Sequence, residues 1–420
     1  MTDPSSPRAK STSPLLFIFT TVFIDMLGYG MITLLIPLYV KEQGGGAALA
    51  GTLNSLYALM QFVAGPIIGA LSDRFGRKPI LLVCLVGTAL AFFMLGIANS
   101  LVWIVAAVAL DGITGGNLTT AYAYIADVTT PQKRARGMGM VGAAFGLGIM
   151  IGPAMGGVLS QYNLHLPAFV AGGIAISNFI FGWVALPESL PTALRTRSIS
   201  WRSLNVVQQF VGLNKLGRIG ILLISMFLLN VAFSGLQTNF PLYAQARFNW
   251  DAFQIGIFFA FIGICAVFVQ GVLFSWLHAR IREACLLIGG LILMTSGLIG
   301  VALIQHAGWL YPIVGIAALG SGLGIPTLNS MISTRVSASQ QGQLMGGVQA
   351  ILSIALILGP SIAGLAFDHL GTGAPYLVGA GFAAAACVTA CIDIFGSVAK
   401  VDPLEIGKGN IDSLIRRYKK

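Results

Sequence analysis

Twelve runs of roughly twenty apolar residues, joined by short polar turns, leave this 420-residue chain few ways to fold. Their limits read as 15–40, 50–71, 79–98, 101–125, 138–160, 167–187, 219–244, 253–277, 284–304, 309–333, 343–366 and 374–396. Charged residues make up only 9% of the chain, where a soluble domain carries about 25%. In hydrocarbon every backbone polar group must be satisfied within the spanning structure, so a span is a helix or part of a closed barrel. The runs are continuous rather than alternating, which excludes the barrel. An all-α integral membrane protein is therefore expected, lodged in a cell membrane (the cytoplasmic or inner membrane in a bacterium) and crossing it many times.

The only long polar connection lies at 188–218, between the sixth and seventh runs, and carries Arg195, Arg197, Arg202, Lys215 and Arg218. The expected organisation is a polar N-terminal tail (1–14), a six-helix bundle (15–187), a basic linker (188–218), a second six-helix bundle (219–396) and a basic tail (397–420). With the N-terminus in the cytoplasm, 22 of the 24 lysines and arginines fall on the cytoplasmic side, and only Lys41 and Arg247 fall outside. That asymmetry places both termini in the cytoplasm. It accounts for the net charge of +10 without nucleic acid and suits an anionic leaflet against the linker and tail. The last ten residues, 411–420, read either as a short basic amphipathic helix on that surface or as an unstructured tail.

The start lacks the pattern of a cleaved signal peptide. Cys84, Cys265, Cys285, Cys387 and Cys391 sit in or beside apolar runs and read as small hydrophobes. No histidine is near Cys387 and Cys391 in sequence, so a metal site is not expected, and His165, His278, His306 and His369 read as residues at the membrane interface. No nucleotide-binding loop or nucleophile–base pair is visible, which argues against an enzyme and against direct ATP drive.

Several strings carry chemistry. Gly69-Ala-Leu-Ser-Asp-Arg-Phe-Gly-Arg-Lys-Pro79 puts Asp73, Arg74, Arg77 and Lys78 in one tight turn between spans two and three, with Gly76 among them. Span five carries Gly148, Gly152, Pro153, Gly156 and Gly157. Proline removes a backbone hydrogen bond and kinks a helix, and glycines four apart let another helix approach closely. Gly359-Pro360 to Gly364 in span eleven and Gly271 to Arg282 after span eight are weaker copies, so the two halves echo each other as transporter repeats do. Asp25 and Asp111 lie about ten residues into spans one and four, near the expected midplane. A carboxylate there costs about 2.5–3.5 kcal/mol on the insertion scale, and burial favours its protonated form. Either acid is suited to hold and release a proton; each also reads as a protonated packing group. Asp251 begins span eight as a helix cap.

The 69–79 turn resembles the loop between helices two and three of the major facilitator superfamily, with every fixed position matched. The span-five string resembles the motif associated with antiporters of that superfamily. Further strings narrow the resemblance to the tetracycline-efflux branch of the twelve-span drug/H+ antiporters. They are Ser55 to Phe62, Gly112 to Gly116, Ala123 to Asp127, Phe248 to Asp251 and Gln341 to Leu344. The resemblance implies twelve helices in two pseudo-symmetric six-helix bundles. It implies that Gly69, Asp73, Arg74, Gly76, Arg77, Lys78 and Asp127 form a cytoplasmic gate, with Asp127 partnering the Arg77 region. It implies a cavity lined by spans one, four, seven and ten, helped by two, five, eight and eleven. Polar and aromatic candidates on those spans are Tyr29, Asn54, Tyr57, Gln61, Asn117, Tyr122, Asn230, Gln237, Asn239, Gln270, Asn329 and Gln349. Helix-to-helix hydrogen bonding is the competing role for each. The mixture suits a neutral, zwitterionic or cationic amphipathic substrate.

The expected function is secondary active transport, as H+-coupled efflux of a small amphipathic compound such as tetracycline or another drug, by a monomer. No cofactor is implied: the proton is the coupling ion, and Mg enters only as part of a chelated substrate. Two departures favour a proton-independent facilitator or metabolite carrier. Val108 stands where relatives commonly carry arginine, and the C-terminal half has no midplane acid. A third reading is a non-transporting membrane interaction protein built on a carrier scaffold.

Overall fold

A computed structural model describes residues 14–129, 131–195, 219–337 and 340–398. Among the described residues, twelve helical spans are long and apolar enough to cross a membrane: Ile18–Glu42, Ala47–Phe75, Arg77–Gly96, Leu101–Val128, Met138–Ser160, Leu166–Ala185, Gly220–Phe248, Ala252–His278, Glu283–Leu303, Ala307–Thr334, Leu344–Leu370 and Ala374–Phe395. They follow the twelve apolar runs within a few residues at each end. All regular structure among the described residues is helical.

The same pairings recur in the two sequence halves. Span one packs on five and six, and span three on four and six; span seven packs on eleven and twelve, and span nine on ten and twelve. A six-helix pattern is thus built twice, which is the repeat that the sequence echoes.

The chain forms two compact units. The first takes in the described residues of Met1–Gly44, Leu56–Asn205 and Asp251–Gly263; the second takes in those of Gly45–Ser55, Val206–Trp250 and Ile264–Lys420. The first ten or so residues of span two thus cluster with the second unit, and the first part of span eight clusters with the first. A buried core in the first unit joins Ile18, Val22 and Met26 of span one to Leu81, Tyr124, Ile125, Val141 and Ala144 of spans three, four and five.

Several spans are not uninterrupted α-helices. Span one is broken between Thr33 and Ile36, ahead of Pro37. Span four is two helices, Leu101–Thr114 and Asn117–Val128, separated at Gly115-Gly116. Span eight widens into a π-helical turn at Val269–Leu273. Prolines 66, 153, 241, 326 and 360 lie inside helices. Span eight opens with a reciprocal capping box. The Gln254 amide N–H donates to Asp251 Oδ1 at 2.8 Å, and the Asp251 N–H donates to Gln254 Oε1 at 3.0 Å. Asp251 is the helix cap that the sequence indicated.

Candidate functional site

The break in span four organises the polar centre of the first unit. Glycine pairs are weak helix formers, and here the carbonyls left by the interruption find side chains. Gln61 Nε2 donates to the Gly115 carbonyl at 3.0 Å, and the Thr119 hydroxyl donates to the Gly116 carbonyl at 2.7 Å. Span two can deliver Gln61 because span four is stripped of side chains where they cross. A Cβ at Gly112 would lie 2.7 Å from the Tyr57 carbonyl, and one at Gly115 would lie 2.8 Å from the Tyr57 hydroxyl. The Tyr57 ring leans on Tyr29 of span one, with centroids 5.1 Å apart.

The second half of span four begins at Asn117, and there the two predicted carboxylates gain their settings. Asn117, buried, donates from Nδ2 to Asp25 Oδ2 at 2.8 Å. The start of a helix carries partial positive charge, so the Asp25 carboxylate stands beside the end that favours an anion. Asp111, one turn before the break, is buried. The Thr88 hydroxyl meets that of Thr114 at 3.0 Å. Among the described residues no ion pair reaches Asp25 or Asp111. Two acids, one held by an amide and the other buried, thus stand in this region without an ion-pair partner.

Three of the span-five glycines lie against span one in the residues that follow Asp25. A Cβ at Gly148 would fall 2.8 Å from the Leu27 nitrogen; at Gly152, 2.6 Å from the Leu27 carbonyl oxygen; at Gly156, 2.8 Å from the Met31 carbonyl oxygen. The Pro153 ring closes on Gly30, 3.1 Å from where a Cβ there would be. Gly157 faces elsewhere, against Ala252 and Gly256 at the start of span eight. Spans one and five therefore meet backbone to backbone at these glycines, beside the packed side chains of Val22, Met26, Val141 and Ala144.

The 69–79 turn forms a separate polar cluster. Arg77 is 7% exposed, and its guanidinium spends its donors on three groups. It pairs with Asp73 at 2.6 Å and with Asp127 at 3.0 Å, and donates to the Ser72 hydroxyl at 2.7 Å. The Ser189 hydroxyl donates to the same Asp127 oxygen at 3.0 Å. Gly76 takes φ +109°, a backbone region that excludes ordinary side chains, and ends the long helix of span two. The helix that follows starts at Arg77, whose N–H is capped by Glu188 Oε1 at 2.9 Å; the same oxygen accepts from the Leu190 N–H at 3.0 Å. Arg195 lies 3.6 Å from the other Glu188 oxygen. Lys78 donates to the Trp183 carbonyl at 2.8 Å, whereas Arg74 turns away over the Phe75 ring. The Gly69 carbonyl accepts the Ser72 hydroxyl at 2.8 Å.

The structure thus groups Asp25, Tyr29, Tyr57, Gln61, Asp111 and Asn117 in one region, and Asp73, Arg77 and Asp127 in another. The other cavity candidates are scattered. Asn54 and Asn230 bond carbonyls one turn back in their own helices, at 3.0 and 2.8 Å. Asn239 is wholly buried, with neither end of its amide partnered. Tyr122, Gln237, Gln270, Asn329 and Gln349 are exposed. Sequence reasoning did not find Ser72, Thr88, Glu188 or Ser189. Glu188 carried a weak signal, as a lone acid opening the basic linker, but its partner 111 positions away in the chain was not legible.

The chain and its fold have counterparts among known proteins. The Major Facilitator Superfamily pattern matches residues 18–342. The chain is 33% identical to the class C tetracycline resistance protein of Escherichia coli over 360 residues, covering 84% of this chain and 89% of the relative. It is 29% identical to the class B tetracycline resistance protein of Escherichia coli over 349 residues, covering 82% and 86%. Among solved structures, the human organic anion transporter MFSD10 superposes with a TM-score of 0.67 at 24% identity, covering 91% of this chain and 100% of that one. The nucleoside transporter NupG superposes with a TM-score of 0.73 at 14% identity, covering 93% and 100%, a likeness of fold alone.

Proposed function

Because this chain belongs to the major facilitator superfamily, and is a multi-pass membrane transporter of a small molecule rather than an enzyme, we propose that it exports an amphipathic compound such as tetracycline in exchange for protons. The observation that carries this reading is the Asp25 carboxylate, held by Asn117 at the start of a broken helix and followed along span one by the glycine seam of span five. Broken helices at the bilayer midplane mark binding sites in transporters. A proton on Asp25 or Asp111 removes a charge from that site, so proton and substrate can compete there. Substrate enters from the cytoplasm, and protons arriving from outside drive its release. The tetracycline resistance proteins among the relatives support the substrate class. In this reading the proton is the only coupling ion, Mg travels as part of a chelated substrate, and the protein works as a monomer. Anionic lipid lies against the basic linker and tail, most of which falls outside the described residues.

The test is uptake into proteoliposomes under an imposed pH gradient, comparing the parent with Asp25→Asn and Asp111→Asn. Tetracycline with Mg²⁺ is assayed beside a panel of cationic drugs. Gradient-dependent tetracycline movement that Asp25→Asn abolishes supports antiport. Transport that neither substitution changes and that an uncoupler leaves intact points to the second reading, a proton-independent carrier. That reading is favoured by Val108, buried and apolar in span four where relatives commonly carry arginine.

A further inference from the structure

Span two begins without a cap of its own. The residues before it are Gly44-Gly45-Gly46, and Gly46 supplies the first helical acceptor, to the Ala50 N–H at 3.2 Å. No side chain there can satisfy the free N–H groups of the first turn. The cap comes from 320 residues further along the chain. Asp368 Oδ2 accepts from the Ala48 N–H at 2.8 Å, and Asp368 Oδ1 accepts from the Ala47 N–H at 3.0 Å. Asp368 lies in the last turn of span eleven, which ends at Leu370. An acid is on the disfavoured end of its own helix there, and on the favoured end of span two.

The seam below the cap is made of small residues. A Cβ on Gly46 would sit 2.6 Å from Asp368 Oδ2. One on Gly51 would strike the Pro360 carbonyl, and one on Gly364 would strike the Ala47 carbonyl. The Ser55 and Ser361 hydroxyls meet at 2.8 Å. At these positions the two helices touch through glycines and hydroxyls. Asp368 itself is exposed, so water can take over both the carboxylate and the N–H groups if they part. This is a contact that can close and reopen, unlike an apolar core.

We propose that Asp368 is a latch for the end of span two opposite the 69–79 turn. It holds the start of span two, Ala47 to Ser55, against span eleven in one state of the transport cycle and releases it in the other. The charge asymmetry of the loops puts this end outside the cell. The latch depends on the protein being a transporter and does not depend on proton coupling or on which compound is moved.

The experiment needs no substrate. Ser361→Cys is introduced into the full chain after the five native cysteines are changed to serine, and intact cells are labelled with a membrane-impermeant maleimide. Asp368→Ala is expected to raise the labelling rate roughly five- to tenfold, the typical weight of a helix cap. Asp368→Asn should raise it less, since its amide oxygen still caps one N–H. In parallel, oxidation of the Ser55→Cys, Ser361→Cys pair should yield a disulfide in the parent and less of it with Asp368→Ala. Labelling of Asp368→Ala at the parental rate, with the protein present in the membrane at the parental level, overturns the latch. Should Asp368→Ala fail to accumulate, Asp368→Asn carries the test, and a parental rate for it overturns the proposal equally.

Discussion

Gly76 is where one added methyl group should do the most damage, and the structure sets the size of the effect. Its backbone has φ +109° and ψ 156°, a region populated essentially by glycine alone, where another residue costs about 1–3 kcal/mol. The place of its Cβ is already occupied by Glu188 Oε2, with the Arg195 guanidinium 2.8 Å away. Alanine at 76 therefore pushes Glu188 off the Arg77 N–H, and loss of such a cap costs about 0.5–2 kcal/mol. Together Gly76→Ala is expected to destabilise the protein by about 2–4 kcal/mol. Thermal unfolding in detergent micelles of Gly76→Ala, Glu188→Ala and the double variant separates the two parts. Glu188→Ala has already given up the cap and emptied the space, so the double variant should fall short of additivity by about 1 kcal/mol. A Gly76→Ala protein that melts with the parent would refute the backbone argument. Strict additivity would refute the Glu188 contact.

Gly152→Ala puts a methyl group against the Leu27 carbonyl and the Gly30 backbone, which cannot rotate away. Overpacking of about 1–3 kcal/mol, with transport falling further than stability, should appear when uptake and melting are measured on one preparation. Asn117→Leu removes the amide that holds Asp25, and gradient-driven uptake should drop about tenfold, with partial recovery in Asn117→Ser. Asp127→Ala leaves Arg77, 7% exposed, with Asp73 and Ser72 alone. A loss of about 1–2 kcal/mol is expected in the melt, moderated because Asp127 is 21% exposed.

The spans were legible because hydrocarbon imposes length and continuity on every crossing, and local composition records both. The partnership of Arg77 with Asp127 was legible only through resemblance, since the two lie 50 positions apart. The glycines of span five announced a close approach without saying to what; the structure supplies Leu27, Gly30 and Met31. The break at Gly115-Gly116 was hidden because glycine pairs are common within membrane helices, and the amide that stabilises this one comes from Gln61 on another span. Asp368 lay in plain view at the end of span eleven, but its meaning depends on a helix start with no capping side chain, 320 residues earlier. Properties set within a span survive in the sequence; those set by which spans meet do not.

The wide turn in span eight has a consequence for how its length can vary. Val269–Leu273 adds one residue to what would otherwise be an ordinary turn, and its buried Val269 rests where Gly322 of span ten has no side chain. A wide turn takes up its extra residue by underwinding, so the helix beyond it keeps its direction. Deleting one residue from this turn would restore regular winding and leave Trp276 and His278 facing as they do. Deleting one from the regular helix on either side would swing all that follows by about 100°. Among homologous chains, a one-residue difference in the length of span eight should therefore fall at this turn rather than elsewhere between Ala252 and His278.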